Sequence, residues 1–367
     1  MNRIEFETIG GDWVDPPMLM PASLPLELSG EAVRSRLLTS ADAPGEELAL
    51  RPDLTLAVVQ HHLDQGAPGP ASYRYFGKAF RQPVSSEEPL EFYQTGFECL
   101  GHEDRIDQDV IALSALCHAV ADAGVDGVQL YLGDISLFAA VVEALKLSPF
   151  WSDQLIRAFR RKEGIRTLLT NGTAPPRSAL ASTLAEVPQE RASALLEEVL
   201  AFSGGQVIGG RTKEDILARL KRQAEAGREG PLDPRAKRVL SDLIQIEGTP
   251  EQLLKQLRTL AQANDLDLQD RLARSDAFFT MLTEQDVPFW KQAHVSVQFG
   301  RRFDYYDGLV FELAHTGLGT RRPLAAGGRY DGLLSRLSGG AKSQPAVGGV
   351  VRPDRLEAAL HLQGAGA

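Results

Sequence analysis

Strand-forming segments crowd both ends of this chain, and amphipathic helical patterns over residues 145–288 hold them apart. A single sheet assembled from both ends satisfies that pattern. Three independent domains would require each end to build its own core. With 367 residues, 43% of them hydrophobic, the chain can bury a substantial core shared between one large domain and a smaller insert. The expected class is α+β. Residues 1–144 are expected to form the first part of the core, 145–288 a helical insertion and 289–367 the second part.

Local patterns place the elements. ELALRPDLT reads as a strand running into a helix start, and YRYFGKAFRQ and LEFYQTGFECLG read as two aromatic-rich strands joined by the polar turn PVSSEEP, an antiparallel hairpin. Val110, Ile111, Leu113, Leu116, Cys117, Val120 and Ala121 then fall at helical spacing, and VQLYLGD is the next strand. In the middle, Ala192, Leu195, Leu196, Val199 and Leu200 line one helix face, while AEAGREGPLDPRAKR is a polar connector. Thr249 and Pro250 supply a cap and a first turn ahead of Leu253, Leu254, Leu257 and Leu260. HVSVQFG, RRFDYYDGLVFELAH, RPLAAGGRY and AVGGVV read as strands, the last leading into the helix DRLEAALHL.

Several chemistries lack sequence support. Cys99 and Cys117 sit in apolar stretches without a second ligand at metal spacing, so two buried thiols in a reduced protein without a metal are expected. The N-terminus has no secretory pattern and no stretch of about 18 apolar residues occurs, so a cytoplasmic protein is expected. A net charge of -10 points away from a phosphate-backbone partner. No nucleophile elbow or zinc-protease motif occurs, and GGRYDGL does not match a phosphate-cradling loop.

Pocket-type residues gather on the strand segments: Asp53, Thr55, Arg81, Gln94 and Glu98, then Arg301, Asp304, Tyr305, Tyr306, Glu312 and Tyr330. On a strand, Gln94 and Glu98 share a face with Phe92 and Gly96, so Gly96 is expected to leave room for a ligand that Arg81 covers from the neighbouring strand. Carboxylates and guanidinium groups gathered on one sheet face call for a partner carrying both charges, and a free amino acid fits. Internal salt bridges at a sheet edge are the alternative.

The residues also resemble a known set. FDYYDGLVFE and AAGGRYDGL resemble the two histidine-recognition motifs of histidyl-tRNA synthetases. ALRPDLT resembles that family's LRPEGT, YRYFGKAFR with EFYQTGFECLG its second class II motif, and AVGGVVRPDRL its third. The resemblance implies a class II synthetase-like antiparallel sheet flanked by helices, holding histidine. Asp53 and Thr55 then stand near the substrate ammonium, Gln94 and Glu98 on the pocket floor, and Arg81 beside the carboxylate. Arg301 matches the family's histidine-specific arginine, and Tyr306 and Tyr330 line the imidazole pocket with Tyr305 beside them.

The nucleotide side departs from the family pattern. Gln82, Pro83 and Val84, then Glu87 and Glu88, follow Arg81, and Arg352 with Pro353 stands where the family has a glycine ahead of its arginine, here Arg355. Only twelve residues follow Arg355, so no anticodon-binding domain is expected. A kept histidine pocket beside a damaged ATP site resembles the regulatory subunits of ATP phosphoribosyltransferase. That implies a chain with no catalytic residues and no cofactor, bound to a short-form catalytic subunit and to L-histidine, as a homodimer within a larger hetero-oligomer and without tRNA or membrane contact. A minimal histidyl-tRNA synthetase or aminoacylating paralogue is the alternative, and a free-standing histidine sensor is the third reading.

Overall fold

The computed structural model describes residues 3–28, 31–40, 47–86, 88–160, 162–171, 187–188, 191–192, 194–195, 229–300 and 304–365. They fall into two compact units, residues 1–140 with 243–367, and residues 141–242. The first unit is built on one sheet whose nine strands are β1 (Asp12–Val14), β5 (Ala71–Phe80), β6 (Glu91–Leu100), β7 (Val128–Asp134), β8 (Glu247–Gly248), β9 (His294–Ser296), β10 (Leu309–His315), β11 (Ala325–Arg329) and β12 (Ala346–Val351). Across the sheet they run β1-β5-β6-β12-β11-β10-β7-β9-β8, so strands from both ends of the chain interleave as expected. Pairing is antiparallel except for β1 on β5 and β9 on β7. A small second sheet pairs β2 (Leu19–Pro21), β4 (Leu48–Leu50) and β3 (Thr39–Ser40) in that order.

Local signals that depend on near neighbours hold. The hairpin of β5 and β6 pairs Ala71 with Leu100 and Phe80 with Glu91, with the polar turn between. Asp53 caps helix Leu54–Asp64, and helix Arg105–Asp122 buries Val110, Leu113, Leu116, Cys117 and Val120. Thr249 forms a capping box with Gln252 and Pro250 opens helix Pro250–Ala263, which buries Leu253, Leu254, Leu257 and Leu260. Cys99 and Cys117 are buried free thiols. Among the described residues no helix is long and apolar enough to cross a membrane.

Other expectations change. The second compact unit ends at Asp242, short of residue 288, because helix Gln269–Glu284 packs on helix Arg105–Asp122 and β8 extends the large sheet. Helical periodicity shows which face is apolar, not which partner covers it. The tail of the expected connector is helical from Pro234 to Leu243. Of the face at 192–200, Ala192 is buried, while Leu196, Val199 and Leu200 lie outside the described residues.

DYYDG, residues 304–308, is not strand either, since β10 starts only at Leu309. Tyr305 and Tyr306 are both buried with their rings 4.7 Å apart, whereas strand alternation would send neighbouring side chains to opposite faces. The Asp307 carboxylate accepts the N–H groups of Asp331 (3.0 Å) and Gly332 (2.7 Å), pinning this turn to the chain leaving β11.

Glycines let the central strands and their rings approach. A Cβ at Gly327 would lie 2.7 Å from the Phe311 ring and against the Gly348 carbonyl of the neighbouring strand. Gly327→Ala is therefore expected to cost about 1–3 kcal/mol through overpacking. A urea denaturation curve with an unshifted midpoint would contradict this account of the sheet.

Candidate functional site

Strand register decides which side chains meet. Gly349 and Phe97 approach Leu116 of helix Arg105–Asp122 on one face of the sheet, so Glu98, Gly96 and Gln94 point to the other. On that second face Glu98 stands in a row with Gly348, Gly328, Val310 and Gly133 on successive strands. The missing side chains make a trough. The Glu98 carboxyl lies over Gly348, the Tyr306 ring lies where a Cβ on Gly328 would be 2.9 Å away, and Phe299 lies over Gly133.

Glu98 is the centre of this cluster and is 1% exposed. It accepts hydrogen bonds from the Tyr75 hydroxyl at 3.1 Å, from the Tyr330 hydroxyl, and from Thr55. Burial pushes its pKa up to about 8, the three hydroxyl bonds pulling the other way and the nearby Asp53 charge adding to the rise. The group therefore keeps its proton at neutral pH, which gives the site an acid O–H as well as acceptors. Tyr305, Tyr306 and Tyr330 close over it as a ring cluster, with centroids 4.7, 5.8 and 6.1 Å apart. Burial also holds the Tyr330 and Tyr75 hydroxyls well above the usual phenol range, so both stay neutral donors.

Asp53, Thr55 and Gln94 meet at the start of helix Leu54–Asp64. Asp53 accepts the Leu56 N–H at 3.0 Å and Gln94 accepts the Leu54 N–H at 3.1 Å, so both satisfy helix donors that have no intrahelical partner. Arg81 donates to the Pro52 carbonyl at 2.7 Å and feels the Asp53 charge, which ties β5 to the same corner. Eight of the nine expected residues, Asp53, Thr55, Arg81, Gln94, Glu98, Tyr305, Tyr306 and Tyr330, are described and lie in the first unit; Arg301 lies outside the described residues. The room expected over Gly96 is taken: a Cβ there would lie 2.6 Å from the Tyr75 hydroxyl, which reaches across to Glu98. Tyr75 was not among the expected site residues, although its register opposite Gly96 follows from pairing the two hairpin strands.

Beside this cluster lies a cationic corner. The Phe92 ring has the Arg81 guanidinium 5.2 Å from its centroid and that of Arg352 at 3.7 Å. Arg352 also grips Asp354 with two bonds of 2.9 and 2.8 Å, and Arg355 donates to the Pro323 carbonyl at 2.8 Å. Burial lowers Arg81 to about 10 and Arg355 to about 9, with Arg352 adding to both. Glu88 is ion-paired to Arg36 at 2.5 Å, and Glu87 lies outside the described residues. The acidic run after Arg81 is thus partly neutralised within the chain. The side chain of Arg352 covers an aromatic face.

Comparison with known proteins gives a consistent result. The family model described as histidyl-tRNA synthetase matches residues 4–227 and 210–356. The chain is 32% identical to the ATP phosphoribosyltransferase regulatory subunit of Chelativorans sp. (strain BNC1) over 349 residues, covering 93% of this chain and 91% of that one. It is 31% identical to the subunit of the same name from Sinorhizobium fredii (strain NBRC 101917 / NGR234) over 375 residues, with 98% and 96% covered. Among solved structures it resembles an ATP phosphoribosyltransferase regulatory subunit/histidyl-tRNA synthetase from Bacillus halodurans C, with a TM-score of 0.63 at 20% identity over 97% of this chain and 76% of that one. A histidine--tRNA ligase subunit from Alicyclobacillus acidocaldarius gives a TM-score of 0.57 at 23% identity, with 98% and 90% covered. Both structures show the class II synthetase-like fold.

The protonated Glu98 has a measurable consequence. Its folded pKa of about 8 exceeds the ordinary carboxylate value of 4.5, so between those limits the unfolded chain binds fewer protons than the folded one. This group's contribution to stability therefore falls as pH rises through that window. Glu98→Gln, which cannot ionise, is expected to gain stability relative to the parent between pH 5 and 8, read as a difference in urea midpoints. A constant difference across the window would contradict a raised pKa.

Proposed function

Because the chain belongs to the family of ATP phosphoribosyltransferase regulatory subunits, within the wider group that the histidyl-tRNA synthetase model covers, we propose that it binds free L-histidine in the Glu98 pocket and performs no chemistry of its own. Its role is then to complete an assembly with a short-form ATP phosphoribosyltransferase in the cytoplasm, for the first step of histidine biosynthesis, and to lower the activity of that assembly when histidine is bound. The observation that carries this reading is the pairing of the enclosed Glu98 cluster with Arg352 laid over Phe92.

The chemistry suits histidine. An imidazole is flat and has two ring nitrogens, one donor and one acceptor in its neutral form. Glu98 and the tyrosine hydroxyls offer partners of both kinds in a dry site, and the rings of Tyr305, Tyr306 and Tyr330 supply flat walls. At the other end of the amino acid, Asp53 suits the ammonium and Arg81 the carboxylate, with Thr55 and Gln94 between them. Arg301 enters through the family motif alone. Arg301, Tyr305 and Tyr306 belong to one segment of the sequence, so the ordering of that segment around the ligand is the proposed switch. Inhibition then requires histidine to bind the less active state of the assembly more tightly, a coupling of about 1–3 kcal/mol. A homodimer of this chain within a larger hetero-oligomer, without tRNA, completes the proposal.

The competing reading is an active histidyl-adenylate-forming enzyme, which Arg81 and Arg355 favour by lying in the same cationic corner. Exchange of labelled pyrophosphate into ATP, dependent on histidine, separates the two: none is expected, and robust exchange would establish the enzyme. For the pocket, Glu98→Ala and Tyr306→Ala are each expected to weaken histidine binding by roughly a hundredfold or more in calorimetry, as removal of one partner from a buried polar set does. Circular dichroism checks that each variant folds. Unchanged affinity in both would place histidine elsewhere.

A further inference from the structure

The opposite face of the same sheet carries a second concavity, wholly within the first unit. It is a cavity of about 270 Å³ between the ends of β7, β9, β10 and β11 and helix Gln269–Glu284. That size is close to the roughly 300 Å³ at which small-molecule sites begin. One wall is apolar, made chiefly of Phe278, Phe279, Leu137 and Leu253. The other wall is charged.

The charged wall has its acceptors used and its donors left over. Asp134 takes an ion pair from Arg271 and hydrogen bonds from the Ser136 backbone N–H (2.9 Å) and hydroxyl (2.6 Å). Asp109 is held by Arg329 at 2.8 Å, and Asp331 by Arg329 at 2.8 Å and Arg105 at 3.0 Å. Asp307 accepts two backbone N–H groups. Against these, the Nε of Arg271 is buried with no hydrogen-bond partner. Arg274, one turn further along the same helix, lines the cavity and makes no ion pair among the described residues. Burial lowers the Arg271 pKa to about 10 and the like charge of Arg274 adds to the fall, so the exposed Arg274 guanidinium lies near the partly buried one of Arg271.

A buried donor without an acceptor is costly, and two adjacent guanidinium groups repel unless an anion lies between them. We propose that this cavity binds a small organic anion, its carboxylate or phosphate taken by Arg271 and Arg274 and its compact apolar body packed on Phe278 and Phe279. The site is independent of the Glu98 pocket. It uses side chains from the other face of the strands, and it stands whether or not histidine binds there.

Calorimetry on the full chain with three probes of one shape tests it: benzoate, phenyl phosphate and the uncharged benzamide. At least one anion is expected to bind with one-to-one stoichiometry and benzamide not to bind. The stronger anion identifies the head group as carboxylate or phosphate. Arg274→Gln, at an exposed helix position, is expected to weaken the anion by roughly tenfold, about 1.4 kcal/mol, while leaving the melting temperature unchanged. Failure of both anions to saturate the protein in the millimolar range, equal binding of benzamide, or full affinity in Arg274→Gln would each overturn the proposal.

Discussion

The carboxyl group of Glu98 holds the first unit's polar centre together. Three hydroxyls donate to it, from Tyr75 on β5, Thr55 in the first turn of helix Leu54–Asp64, and Tyr330 just past β11. Segments far apart in sequence are therefore fastened to one atom group inside an apolar core that includes Leu54, Val58, Val310 and Leu333. Such an arrangement is a poor way to gain stability, since desolvating the carboxyl offsets much of what its hydrogen bonds contribute. It is a good way to keep a shaped polar site dry. The glycine row beneath it, Gly348 and Gly328 on neighbouring strands, is the steric counterpart, because a side chain at either position would expel Glu98 or Tyr306.

Strand alternation divides the labour between the two faces. Arg329 turns to helix Arg105–Asp122, where it bonds Asp109 at 2.9 Å and the Arg105 carbonyl at 3.0 Å, while the next residue, Tyr330, turns to Glu98. Asp331 turns back and accepts from Arg329 and from the Ala346 N–H. Three consecutive residues thus fix both faces at once, and Asp307 binds the same segment through its backbone. The cationic corner at Phe92 obeys a different logic. There Arg352 is held by Asp354 and lies on the ring itself, so the chain supplies its own cover for that face.

Much of this was legible in the sequence, for identifiable reasons. The hairpin, the capping box at Thr249 and the helix at 105–122 depend on residues within a turn or a strand pair of one another, and their signals are local. The interleaved sheet followed from strand patterns at both ends. The motifs single out residues that the fold brings to one corner of the first unit, and Gln94 and Glu98 share a face as alternation requires. Three features were not legible. Tyr75 fills the space over Gly96, which depends on a neighbouring strand's ring rather than on Gly96 itself. The turn of Tyr305 and Tyr306 imitates strand composition but is bent by Asp307, a contact with residues far along the chain. Arg51 is fully buried and donates to the Lys78 carbonyl at 2.8 Å and to that of Pro16, a tether that nothing in its local sequence announces.

The central claim is that this chain acts on a partner through bound histidine. It is tested most directly by measuring ATP phosphoribosyl transfer by a short-form catalytic subunit with and without this protein, and then with L-histidine added. The account predicts that activity rises when this chain is added, falls again with histidine, and loses that fall when Glu98→Ala replaces the parent chain. A catalytic subunit whose rate is the same with and without this protein would contradict it.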